Sequence, residues 1–81
     1  MTETIELKKD RFRRIFPPRV DKLRDQLRIL GNCSNKHNYE WDSSQLQRFF
    51  AYILIEFVSC ARCYGINVTA TVDHKDIYQY E

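Results

Sequence analysis

Between Phe49 and Val58 the chain carries a single charge, Glu56, and the apolar side chains of that run point more than one way around any helix it forms. Leu46, Phe49, Phe50, Ile53, Phe57, Cys60, Ala61 and Tyr64 share a wedge of about 120° at 100° per residue. Ala51, Leu54, Ile55 and Val58 form a second apolar flank outside that wedge. One partner helix cannot cover both. The chain has 81 residues, and a domain of that size buries only about 60% of its extended surface, which leaves a thin core. The second flank, Ala51, Leu54, Ile55 and Val58, is therefore read as a protein interface, with a homodimer as the expected assembly. A seat for the C-terminal segment of the same chain is the alternative, and both can hold.

Local signals divide the rest of the chain. Residues 1–16 read as a basic lead arm whose apolar members are Ile5, Phe12, Ile15 and Phe16, and residues 17–81 read as one domain. The residue before a proline is pushed out of the helical region, while proline itself suits a first helical position, so Pro17-Pro18 predicts a helix starting near Pro18. Val20, Leu23, Leu27 and Leu30 give it a narrow coiled-coil stripe, and Gly31 is the expected stop. Asp42 as N-cap, Gln45 as its capping-box partner and Trp41 as a staple onto Leu46 start a second helix, which Gly65 ends. Beyond it Ile66, Val68, Ala70 and Val72 alternate with Asn67, Thr69 and Thr71, the period of a strand with one buried face. Asp73-His74-Lys75-Asp76 reads as a polar turn and Ile77-Tyr78-Gln79-Tyr80 as a returning strand. The expected fold is mainly α, an antiparallel helical hairpin of residues 18–30 against 43–64 with a C-terminal β-hairpin at 66–80.

Catalytic and metal chemistry find little support. Cys33, His37, Cys60 and Cys63 are ligand types for zinc, and a zinc-stabilised scaffold is one alternative reading. Cys60, however, lies about 18 residues into the second helix, roughly 27 Å from the loop that holds Cys33 and His37. Cys60-Ala61-Arg62-Cys63 resembles a redox dithiol, but such motifs act at helix N-termini and this one stands at the C-terminal end. Two glycines in the whole chain leave no phosphate-cradling loop, and no nucleophile elbow or carboxylate pair frames a cysteine with His37 or His74. The chain is expected not to be an enzyme, with no cofactor, no metal and no small-molecule substrate.

Charge is more informative. The formal net charge of +2 conceals a local net of +6 from Lys8 to Arg28, where nine basic residues face Asp10, Asp21 and Asp25. Residues 29–81 sum to −2. Lys8, Lys9, Arg11, Arg13, Arg14, Arg19 and Lys22 are the candidate nucleic-acid contacts, with Phe12 or Phe16 able to stack on bases. An acidic protein surface is the other partner this charge fits, and Asp73, Asp76 and Glu81 could neutralise part of it within the fold. Three cysteines, an opening segment with no basic region followed by an apolar run, and no span of roughly 20 apolar residues point to a reduced, cytoplasmic setting away from membranes. Between the helices, residues 32–40 form a long polar loop whose Asn and Ser side chains can bond local backbone. Asn35, Lys36, His37 and Tyr39 are its candidate contact residues.

Arg19-Val20-Asp21-Lys22, Leu27-Arg28-Ile29-Leu30, Asn32-Cys33-Ser34-Asn35-Lys36 and Asn38-Tyr39-Glu40-Trp41 resemble a group of short bacterial proteins carried on plasmids, phages and integrated elements. The resemblance covers residues 11–58, and its specific part is the Asn-Cys-Ser-Asn-Lys loop with the following Asn-Tyr. It implies an all-helical hairpin core and a mobile-element setting, and points to no particular activity. The very apolar second helix and the strand-forming tail depart from that pattern, and His37, Cys60 and Cys63 lie outside it. The expected function is an accessory or regulatory binding module that engages nucleic acid, or a complex handling it, through its basic arm and first helix. Its rival is a protein-only interaction factor or inhibitor docking through the apolar flank of the second helix.

Overall fold

A computed structural model of the chain describes residues 7–81, so Ile5 and the opening residues of the expected lead arm lie outside the described residues. Two helices are followed by a small two-stranded antiparallel sheet and a short 3-10 helix. The chain divides into two compact units, one reaching to Tyr39 and the other spanning Glu40–Glu81.

In the first unit a single helix, α1, runs unbroken from Lys8 to Asn32, with Pro17 and Pro18 inside it. This corrects the boundary expected at Pro18 and makes residues 8–16 the opening turns of α1. Proline's fixed φ suits a helix; its cost there is a lost main-chain donor and a clash with the carbonyl four residues back, about 3 kcal/mol in an interior position. Against that cost stand good helix formers on both sides. Phe12 and Phe16, one turn apart, also stack with ring centroids 4.6 Å apart on the turn that leads into the prolines. Gly31 does not stop the helix either. It stays out of the left-handed region, and the end closes with the N–H of Cys33 donating to the Leu30 carbonyl at 3.2 Å and that of Ser34 to the Gly31 carbonyl at 3.0 Å. No residue of α1 is buried.

The second unit is built on α2, Ser43–Arg62. Asp42 caps it as its sequence position predicts, its carboxylate accepting from the N–H of Ser44 at 2.9 Å. That is the second helical amide and not the third, so the capping box with Gln45 does not close. At the other end Gly65 adopts φ 73°, its N–H donating to the Arg62 carbonyl at 2.9 Å while that of Ile66 donates to Ala61 at 3.0 Å. These two bonds are a Schellman closure, which needs the left-handed residue that glycine supplies without steric cost.

From Asn67 on, the tail follows the expected alternation in burial but not in pairing, and Ile66, expected on the buried side, is exposed. Val68, Ala70 and Val72 are half-buried and Asn67, Thr69 and Thr71 exposed. The ladder, however, is only β1 (Thr71–Val72) against β2 (Lys75–Asp76), with Thr71 opposite Asp76 and Val72 opposite Lys75. Asp73 and His74, with φ of 48° and 66°, make a two-residue turn of the primed kind that suits strand twist. This tightens the four-residue turn expected over residues 73–76. Ile77–Tyr80, expected as the returning strand, is instead the 3-10 helix. Asp76 initiates it by accepting from the Tyr78 N–H at 2.9 Å, a local side-chain bond that competes with continuation of the ladder.

The core of this unit is Ala51, Val58 and Ile77, with Leu54, Ile55, Val68, Ala70, Val72 and Tyr80 packed against it. The tail therefore sits on the second flank of α2. Ala51 and Val58, read from the sequence as interface residues together with Leu54 and Ile55, are 1% and 2% exposed. That expectation is corrected for Ala51 and Val58, which are interior, while Leu54 and Ile55 are half-buried; the flank's occupant is the chain's own C-terminal segment, the alternative reading of the sequence.

Candidate functional site

α1 displays the densest charge. Lys8, Lys9, Arg11, Arg13, Arg14, Arg19 and Lys22 are all exposed, as are Arg24 and Arg28 further along the same helix. At 1.5 Å per residue α1 is about 37 Å long, and 100° per residue spreads its basic residues, Lys9 excepted, around the circumference outside an apolar stripe. Phe12, Phe16, Val20, Leu23, Leu27 and Leu30 fall in that stripe, within roughly 80° of arc. Sequence reasoning found only its C-terminal part, because it started the helix at the prolines; continuity through Pro17-Pro18 joins the two phenylalanines to the coiled-coil positions. The stripe is half-open, from Val20 at 38% to Leu23 and Leu30 at 48% exposure.

Arg28 and Asp25 pair at 3.2 Å with both side chains well exposed, a contact worth little in water. Among the described residues Lys8, Lys9, Arg13, Arg19, Lys22 and Arg24 have no ion-pair partner. Two carboxylates that the sequence offered as internal neutralisers are engaged within the second unit. Asp73 accepts from the Gln47 side chain, and Asp76 caps the 3-10 helix.

The polar loop is shaped by its own short side chains. Asn35 Oδ1 accepts from the His37 N–H at 3.0 Å, and the Asn35 carbonyl accepts from the N–H groups of Asn38 and Tyr39 at 3.1 and 3.0 Å. Its side chain is thereby spent on turn geometry. Lys36, His37 and Tyr39 remain outward, all exposed.

The Glu40–Glu81 unit exposes the face of α2 that the periodicity marked as the main stripe. Phe49, Phe50 and Phe57 are 57%, 45% and 51% exposed. The two apolar faces of α2 thus exchange the roles their widths suggested. Sequence reasoning also missed a groove of about 460 Å³ between α2 and the 3-10 helix, walled by Phe49, Tyr52, Ile55 and Tyr80 with Arg48 and Glu56 at its edges. The signal for it was available only as Phe49 and Tyr52 one turn apart and a distant tyrosine. Lys75 lies beside it with its ammonium 4.8 Å from the Tyr80 ring centroid, and the Tyr80 hydroxyl donates to the Val72 carbonyl at 2.7 Å. The groove offers aromatic faces but no nucleophile with an adjacent base.

Cys33, Cys60 and Cys63 are exposed free thiols, and among the described residues no group of three or more His, Cys, Asp or Glu side chains is placed to hold a metal ion. No described helix is long and apolar enough to cross a membrane. Comparison with protein families, curated proteins and solved structures finds no match to the chain.

Proposed function

We propose that the protein is a non-enzymatic accessory or regulatory binding module, of mobile-element and cytoplasmic setting, that engages nucleic acid or a complex handling it through α1. One observation carries the reading: nine exposed cations stand on an unbroken helix that has no buried residue, six of them without an ion-pair partner among the described residues. A rigid rod of about 37 Å matches roughly one turn of duplex, so its cations can follow the phosphate backbone without reordering a flexible arm. Binding would draw on counterion release and on phosphate contacts, which position the protein without reading sequence. Phe12, half exposed, would exchange its stack on Phe16 for a base where the nucleic acid is single-stranded.

Fluorescence anisotropy with labelled duplex and single-stranded oligonucleotides tests this. With five phosphate contacts, affinity falls about 500-fold between 50 and 200 mM salt, and Arg19→Gln with Lys22→Gln, two residues on one side of α1, lowers the salt slope by about two. No binding at 50 mM salt, or binding indifferent to salt, overturns the proposal.

The second reading, a protein-only interaction factor, is favoured by the three half-exposed phenylalanines of α2. It moves from the flank of Leu54 and Ile55 to the face of Phe50 and Phe57, with Lys36, His37 and Tyr39 as further contacts. Salt-insensitive capture of a protein partner, lost in Phe57→Glu, would support it over the first.

A further inference from the structure

We infer that the exposed face of α2 is a self-association seam on which a second copy of the chain docks antiparallel. Phe50, Ile53, Phe57 and Cys60 recur at spacings of three, four and three, the positions that form a coiled-coil seam. That pattern reads the same from either end. An antiparallel copy therefore sets Phe50 against Cys60 and Ile53 against Phe57, each contact occurring twice about a two-fold axis near Ile55. Large residues meet smaller ones in every layer. An interface of this isologous kind must be self-complementary, and this one is by its spacing alone.

Three further features select a second copy of α2. The opposite side of the helix is closed by the chain's own tail, with Ala51 and Val58 buried, while the seam keeps Phe50, Phe57 and Cys60 exposed and Ile53 half-buried. The seam itself is uncharged, whereas the α1 stripe lies on a segment of local net +6 that repels its own copy. Phe49, Phe50 and Phe57, each about half exposed, offer roughly 300 Å² of ring surface per copy; with Leu46, Ile53, Cys60 and the rim, two copies approach the ~1,000 Å² that a specific interface requires. The area predicts a reversible, concentration-dependent dimer.

Glu56 borders the seam, and antiparallel packing brings it beside Glu56 of the other copy. In a parallel pair it would meet Leu54 or Ala61 instead. Glu56→Gln therefore tightens the antiparallel dimer by removing a like-charge contact.

Sedimentation equilibrium of the full chain, from micromolar to millimolar concentration, tests the seam. The expected result is a mass rising from one to two chains, held at one chain by Phe50→Glu with unchanged far-UV circular dichroism. Tyr52→Glu, a change at an exposed position about 120° around the helix from the seam, should leave the mass as in the parent chain. Glu56→Gln should dimerise at several-fold lower concentration. Should Phe50→Glu unfold the chain, a bismaleimide cross-link decides. In a Cys33→Ser, Cys63→Ser background, Phe50→Cys must link to Cys60 of another copy. A parent chain that stays at one mass throughout, a Phe50→Glu chain that folds and still dimerises, a Glu56→Gln dimer no tighter than the parent, or links only between like positions overturns the inference. None of these readouts depends on nucleic acid, so failure here leaves the reading of α1 standing.

Discussion

Ile77 shows how much a single position can carry in a chain with so small a core. It is 1% exposed and comes from outside both helices, yet it joins Ala51 and Val58 to close the second unit. Ile77→Ala removes most of that side chain from a site with few neighbours to collapse inward, and truncations of this type cost about 2–5 kcal/mol. The expected outcome is a lower thermal midpoint for the tail and α2 together, followed by near-ultraviolet circular dichroism of Tyr80 and Trp41. In the sequence Ile77 was legible as apolar but was assigned to a strand. The residue before it, Asp76, redirects the backbone by capping the 3-10 helix, a choice that periodicity does not record. Asp42 and Gly65 were legible because each acts through its own backbone neighbourhood. A carboxylate at the N-cap and a glycine at φ 73° need no distant partner to be recognised.

Among the elements, α1 departs furthest from its local signals. Two consecutive prolines mark a boundary by every short-range rule, and the helix passes through them. The candidate interface depends on this, because a break at Pro17 would detach Lys8, Lys9, Arg11, Arg13 and Arg14 from the rod that presents Arg19 and Lys22. Pro17→Ala and Pro18→Ala restore one amide donor each and relieve the ring clash, together worth up to about 6 kcal/mol of local helix stability. Far-ultraviolet circular dichroism on heating should show the double variant retaining helix to higher temperature than the parent chain. Loss of helix in that variant would mean that the prolines shape α1 in a way their backbone chemistry does not account for. The tail makes the complementary point, since its alternation of burial at Val68, Ala70 and Val72 was readable while its short ladder was not. A primed turn at Asp73 and His74 sets the register, and those two residues accept positive φ without advertising it.

Across the whole molecule, stability is distributed unevenly between the two units. Among the described residues full burial is confined to Glu40–Glu81, where α2 and the tail enclose Ala51, Val58 and Ile77, while α1 has no residue more than half-buried. Amide hydrogen exchange should separate them: α1 amides exchange at the rate of a helix opening on its own, and those of residues 51–58 wait for the second unit to open. Equal protection along both helices would show that α1 is held by more than its own hydrogen bonds. The sequence by itself determined where α2 begins and ends, that it is apolar over more of its circumference than one partner covers, and that positive charge gathers before residue 29. Tertiary structure alone decided which side of α2 became interior. Helical periodicity says which residues share a face, but two apolar faces on one rod are equivalent until a connection reaches one of them. The Schellman reversal at Gly65 and the few residues that follow carry the tail to Ala51 and Val58, leaving Phe50 and Phe57 in solvent.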